Sequence, residues 1–122
     1  MIKYNYDLDI VIGPMQYILD YRDYLVYSDL SMNDQLNYIK DFWNVHSFDK
    51  ETIQSQKFKE FYVRIEYANK NFSFFNMNGW KSDRGKIYII HGPPREIKYD
   101  FNEQGEFEIW HYTSNKKFIF LN

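Results

Sequence analysis

Residues 2–12 alternate strictly, with Tyr4, Tyr6, Leu8, Ile10 and Ile12 on one face and Lys3, Asn5, Asp7 and Asp9 on the other. A period of two predicts a half-buried strand, which Gly13-Pro14 ends. Tyr17, Ile18, Tyr21, Tyr24, Leu25 and Tyr27 then form a helical stripe over residues 15–30, in a tyrosine-rich run that also has strand character. Ser31 followed by Asp34 has the form of an N-cap with an acidic first turn. The helix it opens carries Leu36, Ile39, Lys40, Phe42 and Trp43. After a connection from Asn44, Asp49 is the expected next N-cap, with Glu51 in the first turn. Phe58, Phe61, Ile65, Ala68 and Phe72 recur every three or four residues and predict a long helix with one buried face. Asn76-Met77-Asn78-Gly79 ends it.

From here the period becomes two. Lys86 to His91 is apolar on both faces and predicts a central strand, closed by the rigid turn Gly92-Pro93-Pro94. Glu96 to Phe101 alternates, and Asn102-Glu103-Gln104-Gly105 forms a hairpin loop with a glycine where positive φ is needed. Phe107, Ile109 and His111 share one face of the next strand, and Glu108, Trp110 and Tyr112 the other. Ser114-Asn115 turns the chain into a last strand, Lys117 to Leu121. The expected fold class is α+β: two main helices packed on an antiparallel four-stranded meander, plus the N-terminal strand. Residues 1–14 form that strand or arm, and residues 15–122 a single globular unit.

Composition narrows the function. The chain has 122 residues, enough for one core, and 21% are aromatic, including 12 Tyr. So many hydroxyl-bearing rings cannot all be buried with their polar atoms satisfied, so some aromatic surface is exposed. The net charge is −2 and no basic stripe is present, which argues against nucleic-acid binding. Without cysteine there are no disulfides, thiol nucleophiles or thiolate metal ligands. No apolar run reaches the length of a membrane span, and Met1 to Tyr6 lacks the apolar region of a signal peptide. Neither membrane insertion nor a leader is therefore expected of this chain.

An ordered set of motifs carries a family resemblance. Phe42-Trp43, Phe61-Tyr62-Val63-Arg64-Ile65 and Tyr67-Ala68-Asn69 lie on the helices. Gly79-Trp80-Lys81-Ser82-Asp83-Arg84-Gly85, Ile87-Tyr88-Ile89, Gly92-Pro93-Pro94 and Trp110-His111-Tyr112 follow. Over residues 15–122 the chain resembles the GWxTD-domain family of bacterial proteins common in the Bacteroidetes. Ser82 stands where that family has Thr, which keeps the hydroxyl, and His46-Ser47 replaces an acidic connection. The resemblance implies longer, often exported relatives with further β-structure. It implies no established chemistry.

The candidate site residues are Trp80, Asp83, Arg84, His91 and Trp110. Gly79 to Gly85 reads first as a helix-to-strand connector anchored by Trp80, since turn chemistry accounts for each residue type. In it Asp83 accepts backbone N–H groups, Arg84 stacks on a ring or pairs with a carboxylate, and Gly79 and Gly85 supply positive φ. Its functional alternative is a small recognition surface of Trp80, Asp83 and Arg84. His91 and His111, on strands roughly 10 Å apart, are poorly placed to share a metal, and no metal or cofactor is expected. Glu106 and Glu108 read as solvated surface rather than an acid–base pair. Three readings follow. The first is a non-enzymatic interaction module of a bacterial assembly, binding a protein partner or a second copy through the N-terminal strand. The second is a small-ligand or glycan-binding domain with an aromatic platform at Trp80 and Trp110. The third is an enzyme with a site around Asp83, Arg84 and His91. With no catalytic residues identified, the first leads.

Overall fold

Capping chemistry sets the helix boundaries. The computed structural model of the chain describes residues 5–122. Asp20 opens α1 (Tyr21–Ser28) by accepting the Asp23 N–H. Ser31 opens α2 (Met32–Trp43) by accepting the Asp34 N–H, as predicted, and Asn44 ends it in the left-handed region at φ 55°. The long helix α3 (Ile53–Asn71) starts at Thr52 rather than Asp49. Thr52 Oγ1 accepts the Ser55 N–H while Ser55 Oγ accepts the Thr52 N–H, a reciprocal capping box. Glu51 therefore precedes the helix instead of lying in its first turn. Phe58, Phe61, Ile65 and Ala68 are buried along α3, as the periodicity predicts, while Phe72 of the same stripe is half-buried just past the helix end. The helix stops at Asn71, ahead of the expected end at Asn76–Gly79.

Two predicted strands take other forms. The predicted N-terminal strand falls partly outside the described residues, at 2–4. Its described remainder is no strand: Leu8–Val11 and Pro14–Tyr17 are 3₁₀ turns. The alternation survives only as a burial pattern over residues 5–10, with Asn5, Asp7 and Asp9 exposed and Tyr6, Leu8 and Ile10 half-buried, and the buried Val11 breaks it. Asp7 is the cause, because its carboxylate accepts the Asp9 N–H and offers the backbone a local partner in place of a ladder. The segment is also tied down: the Asp7 N–H donates to Tyr62 OH at 3.0 Å, and Val11 and Met15 are fully buried. The second correction is Lys86–His91. It belongs to helix α4 (Asp83–His91), not to a central strand. Apolar residues on all sides suit a short helix held between α3 and the sheet as well as they suit a buried strand.

The sheet is therefore three-stranded and antiparallel rather than four-stranded, in the order β1 (Glu96–Asn102), β2 (Gly105–His111), β3 (Lys117–Leu121). Gly105 closes the β1–β2 hairpin at φ 124°, a conformation that favours glycine. Register places Ile97 beside Trp110 and Tyr99 beside Glu108, then Trp110 beside Phe118 and Glu108 beside Phe120. These residues share the face turned to the helices. Among the described residues four α-helices precede the sheet, giving an α+β architecture.

The main core lies among the helices. Val11, Met15, Tyr27, Ile39, Phe58, Phe61, Tyr62, Ile65, Ala68 and Ile89 form one buried cluster. Aromatic rings link it to the sheet. Tyr88 of α4 stacks on Tyr67 at 4.3 Å, and Phe72 at the end of α3 sits 5.6 Å from the Trp110 ring. Only β2 and β3 are gripped in this way. Every residue of β1 is exposed.

Candidate functional site

The signature segment joins α3 to α4, and close backbone approach rather than unusual dihedral angles explains its glycines. Neither Gly79 nor Gly85 has positive φ, contrary to expectation; among glycines only Gly92 and Gly105 do. A Cβ at Gly79 would overlap the Ala68 carbonyl, and one at Gly85 would overlap the Gly79 carbonyl. The three backbone segments are thus stacked directly on one another. Ser82 locks the stack. Its hydroxyl donates to the Gly79 carbonyl at 2.7 Å and accepts the Gly85 N–H at 2.9 Å, which makes it the N-cap of α4. A threonine hydroxyl makes the same two bonds, so the departure from the family pattern leaves the joint intact.

Trp80 is an anchor. Its N–H donates to Asn69 Oδ1 at 3.0 Å, and its carbonyl accepts from Tyr17 OH at 2.7 Å. Its ring lies so close to Gly13 that any side chain there would collide with it. Lys81 Nζ stands 5.4 Å from the same ring. Asp83 is exposed in the first turn of α4, where its charge suits the helix N-terminus, while Ser82 rather than Asp83 accepts a backbone N–H of this turn.

Arg84 does both things its chemistry allows. Its guanidinium lies 5.1 Å from the Phe120 ring, and its Nε is 3.4 Å from Glu108 Oε2. Its Nη2 also donates to Asn122 Oδ1. Glu108 Oε2 accepts the indole N–H of Trp110 at 3.0 Å as well. One carboxylate thereby satisfies a buried indole and a half-buried guanidinium, and α4 is stapled to the sheet. Glu108 is the residue the sequence reading missed, taking it for solvated surface. Its signal was its place on the same strand face as Trp110, where a carboxylate implies a partner.

His91 ends α4, packed 5.0 Å from the Phe118 ring and 5.6 Å from Tyr112. Burial, with smaller contributions from Lys116 and Arg64, holds its imidazole below the usual 6.5. Gly92 follows at φ 80°, and Tyr112 OH donates to its carbonyl at 2.8 Å. Asp83 and Arg84 therefore sit at one end of α4 and His91 at the other, about 12 Å apart along the axis. The structure does not bring these three together. Trp110 is 1% exposed and packs against Phe72, Tyr88 and Phe120, so it forms no open platform with Trp80. Among the described residues no cluster of three or more His, Asp or Glu side chains could hold a metal ion. None of the helices described is long and apolar enough to cross a membrane.

The contrast is on the sheet. Ile119 and Leu121 are 59% and 60% exposed on the face turned away from the helices, beside half-buried Phe107 and Ile109. On the other face, Tyr99 and Phe101 of β1 are 71% and 77% exposed, where the helical layer does not reach.

Comparison with known proteins gives one match of family rank. The family model described as the GWxTD domain matches residues 5–121, nearly the whole chain. No curated protein and no solved structure shows significant similarity to it.

Proposed function

The chain belongs to the GWxTD-domain family, and we propose that it is a non-enzymatic protein-interaction module whose contact surface is the three-stranded sheet. One observation carries this reading. The sheet leaves apolar side chains uncovered on both faces: Ile119 and Leu121 on one, Tyr99 and Phe101 on the other. Contiguous exposed apolar surface of this kind marks interaction sites. The signature segment supports the reading by contrast, because Ser82, Arg84 and the backbone of Trp80 are engaged within the chain. The described N-terminal residues, with 3₁₀ turns at Leu8–Val11 and Pro14–Tyr17, present no strand edge, whereas β1 does.

Cross-linking of the domain in its native lysate, with the linked lysines identified, tests this. Links to other protein chains should arise from Lys98 and Lys117 on the sheet. Links confined to Lys57 and Lys70 on α3, or no links to other chains, would overturn it.

A further inference from the structure

The free edge of β1 is complementary to itself. Asn122 N–H donates to the Glu106 carbonyl at 2.9 Å, so the even-numbered residues of β2 bond towards β3 and the odd-numbered ones towards β1. Ile109 and Phe107 stand opposite Lys98 and Asp100. Those two β1 residues therefore bond inward, and Ile97, Tyr99 and Phe101 direct their N–H and C=O groups outward. An independent observation agrees: the Phe101 N–H is taken by its neighbour, the Asp100 carboxylate, at 2.8 Å rather than by β2.

We infer that β1 pairs antiparallel with β1 of a second copy of this chain, about a two-fold axis at Tyr99, to make one continuous six-stranded sheet. The inference rests on the reading of the sheet as the contact surface. In this register Tyr99 meets Tyr99, Ile97 meets Phe101, Lys98 meets Asp100 and Glu96 meets Asn102 of the other copy, so the whole strand is paired. The outward-facing residues 97, 99 and 101 are also the ones that form hydrogen-bonded pairs, and Lys98 and Asp100 fall in the closer, non-bonded positions where side chains interact most strongly. Neighbouring registers lose this. Centring on Lys98 sets Lys98 against itself and Glu96 against Asp100, and centring on Asp100 sets that carboxylate against itself.

Space permits the pairing. A two-fold axis perpendicular to the sheet keeps both helical layers on one side, each over its own β2 and β3. The two β2 strands are then three strand spacings apart, roughly 14 Å, which exceeds one helix diameter. The valley between them is floored by Ile97, Tyr99 and Phe101 of both copies, the side chains left exposed in the single chain. On pairing, Asp100 exchanges the Phe101 N–H for Lys98 of the other copy, and the amide gains a carbonyl.

Sedimentation of the purified chain across a concentration series tests the inference, using Lys98→Asp, Asp100→Lys and the double variant. The wild type is expected to dimerise. Each single variant sets like charges opposite one another twice by symmetry and should weaken the dimer at least about tenfold. The double variant restores opposite charges and should restore the dimer. Amide exchange gives a second readout: Tyr99 and Phe101 N–H groups should gain protection with concentration, while those of Lys98 and Asp100 should be protected throughout. A wild type that stays monomeric up to millimolar concentration, a dimer indifferent to both single variants, or a double variant that fails to recover would each overturn it. A monomer whose sheet lysines still cross-link to other proteins would refute the second copy alone; a monomer without such links would refute the interaction reading too.

Discussion

The joint at Gly79–Gly85 and the sheet at Glu96–Leu121 use their residues in opposite ways. At the joint the polar groups of Ser82 and Arg84 and the Trp80 backbone find partners inside the chain, and two glycines are pressed against carbonyl groups. On the sheet, apolar side chains stand in solvent on both faces and an entire strand is exposed. The most recognisable motif is thus a folding device, and the uncovered apolar side chains, Tyr99, Phe101, Ile119 and Leu121, lie outside every family motif. A distinctive motif marks where the chain tolerates few alternatives, which need not be where it meets other molecules.

Substitutions should separate the two regions, and the largest effect is expected at the joint. Gly85→Ala forces two backbone segments apart and should lower stability by about 3 kcal/mol, read from the urea midpoint. Ser82→Ala removes the cap of α4 and should cost about 1–2 kcal/mol, while Ser82→Thr should stay within about 0.5 kcal/mol of the wild type. A threonine variant as damaged as the alanine one would refute the hydroxyl bridge.

A third test lies where α4 meets the sheet. Burial, then repulsion from Tyr38 or Tyr88, pushes the Tyr27 and Tyr112 hydroxyls from 10.0 up to about 12. Above pH 10.0 the unfolded chain releases phenolic protons that the folded chain retains, so stability should fall between pH 10.0 and about 12. Tyr112→Phe should flatten part of that fall, at a cost near neutral pH of about 1 kcal/mol for the lost hydrogen bond to Gly92. An unchanged alkaline slope would place the perturbed groups elsewhere. The smallest effect is expected on the sheet: Ile119→Lys should change stability by no more than about 0.5 kcal/mol and yet remove cross-links to other proteins from its strand neighbour Lys117.

Several pieces of self-contained local chemistry were legible. The Ser31 cap, the buried stripe of α3 and the glycine of the β1–β2 hairpin each depend on a few neighbouring residues, and each appears as read. The start of α3 was misplaced because its capping box carries Ser55 where a glutamate or glutamine is usual. Of the candidate site residues, the two roles proposed for Arg84 were correct in kind, but its partners Glu108 and Phe120 are remote in sequence and no spacing rule links them.

The sequence by itself determined the α+β class, the helical core residues and the antiparallel hairpins, because periodicity and turn chemistry act over a few residues. Tertiary structure decided the rest. Lys86–His91, apolar on every side, reads locally as a central strand, yet a cap at Ser82 and the slot between α3 and the sheet make it a helix. Residues 5–10 keep the alternation of a strand but lie against the helical core, where Tyr62 rather than a neighbouring strand takes the Asp7 N–H. A pattern of burial states which side chains leave water; only the packed partner states which backbone carries them there.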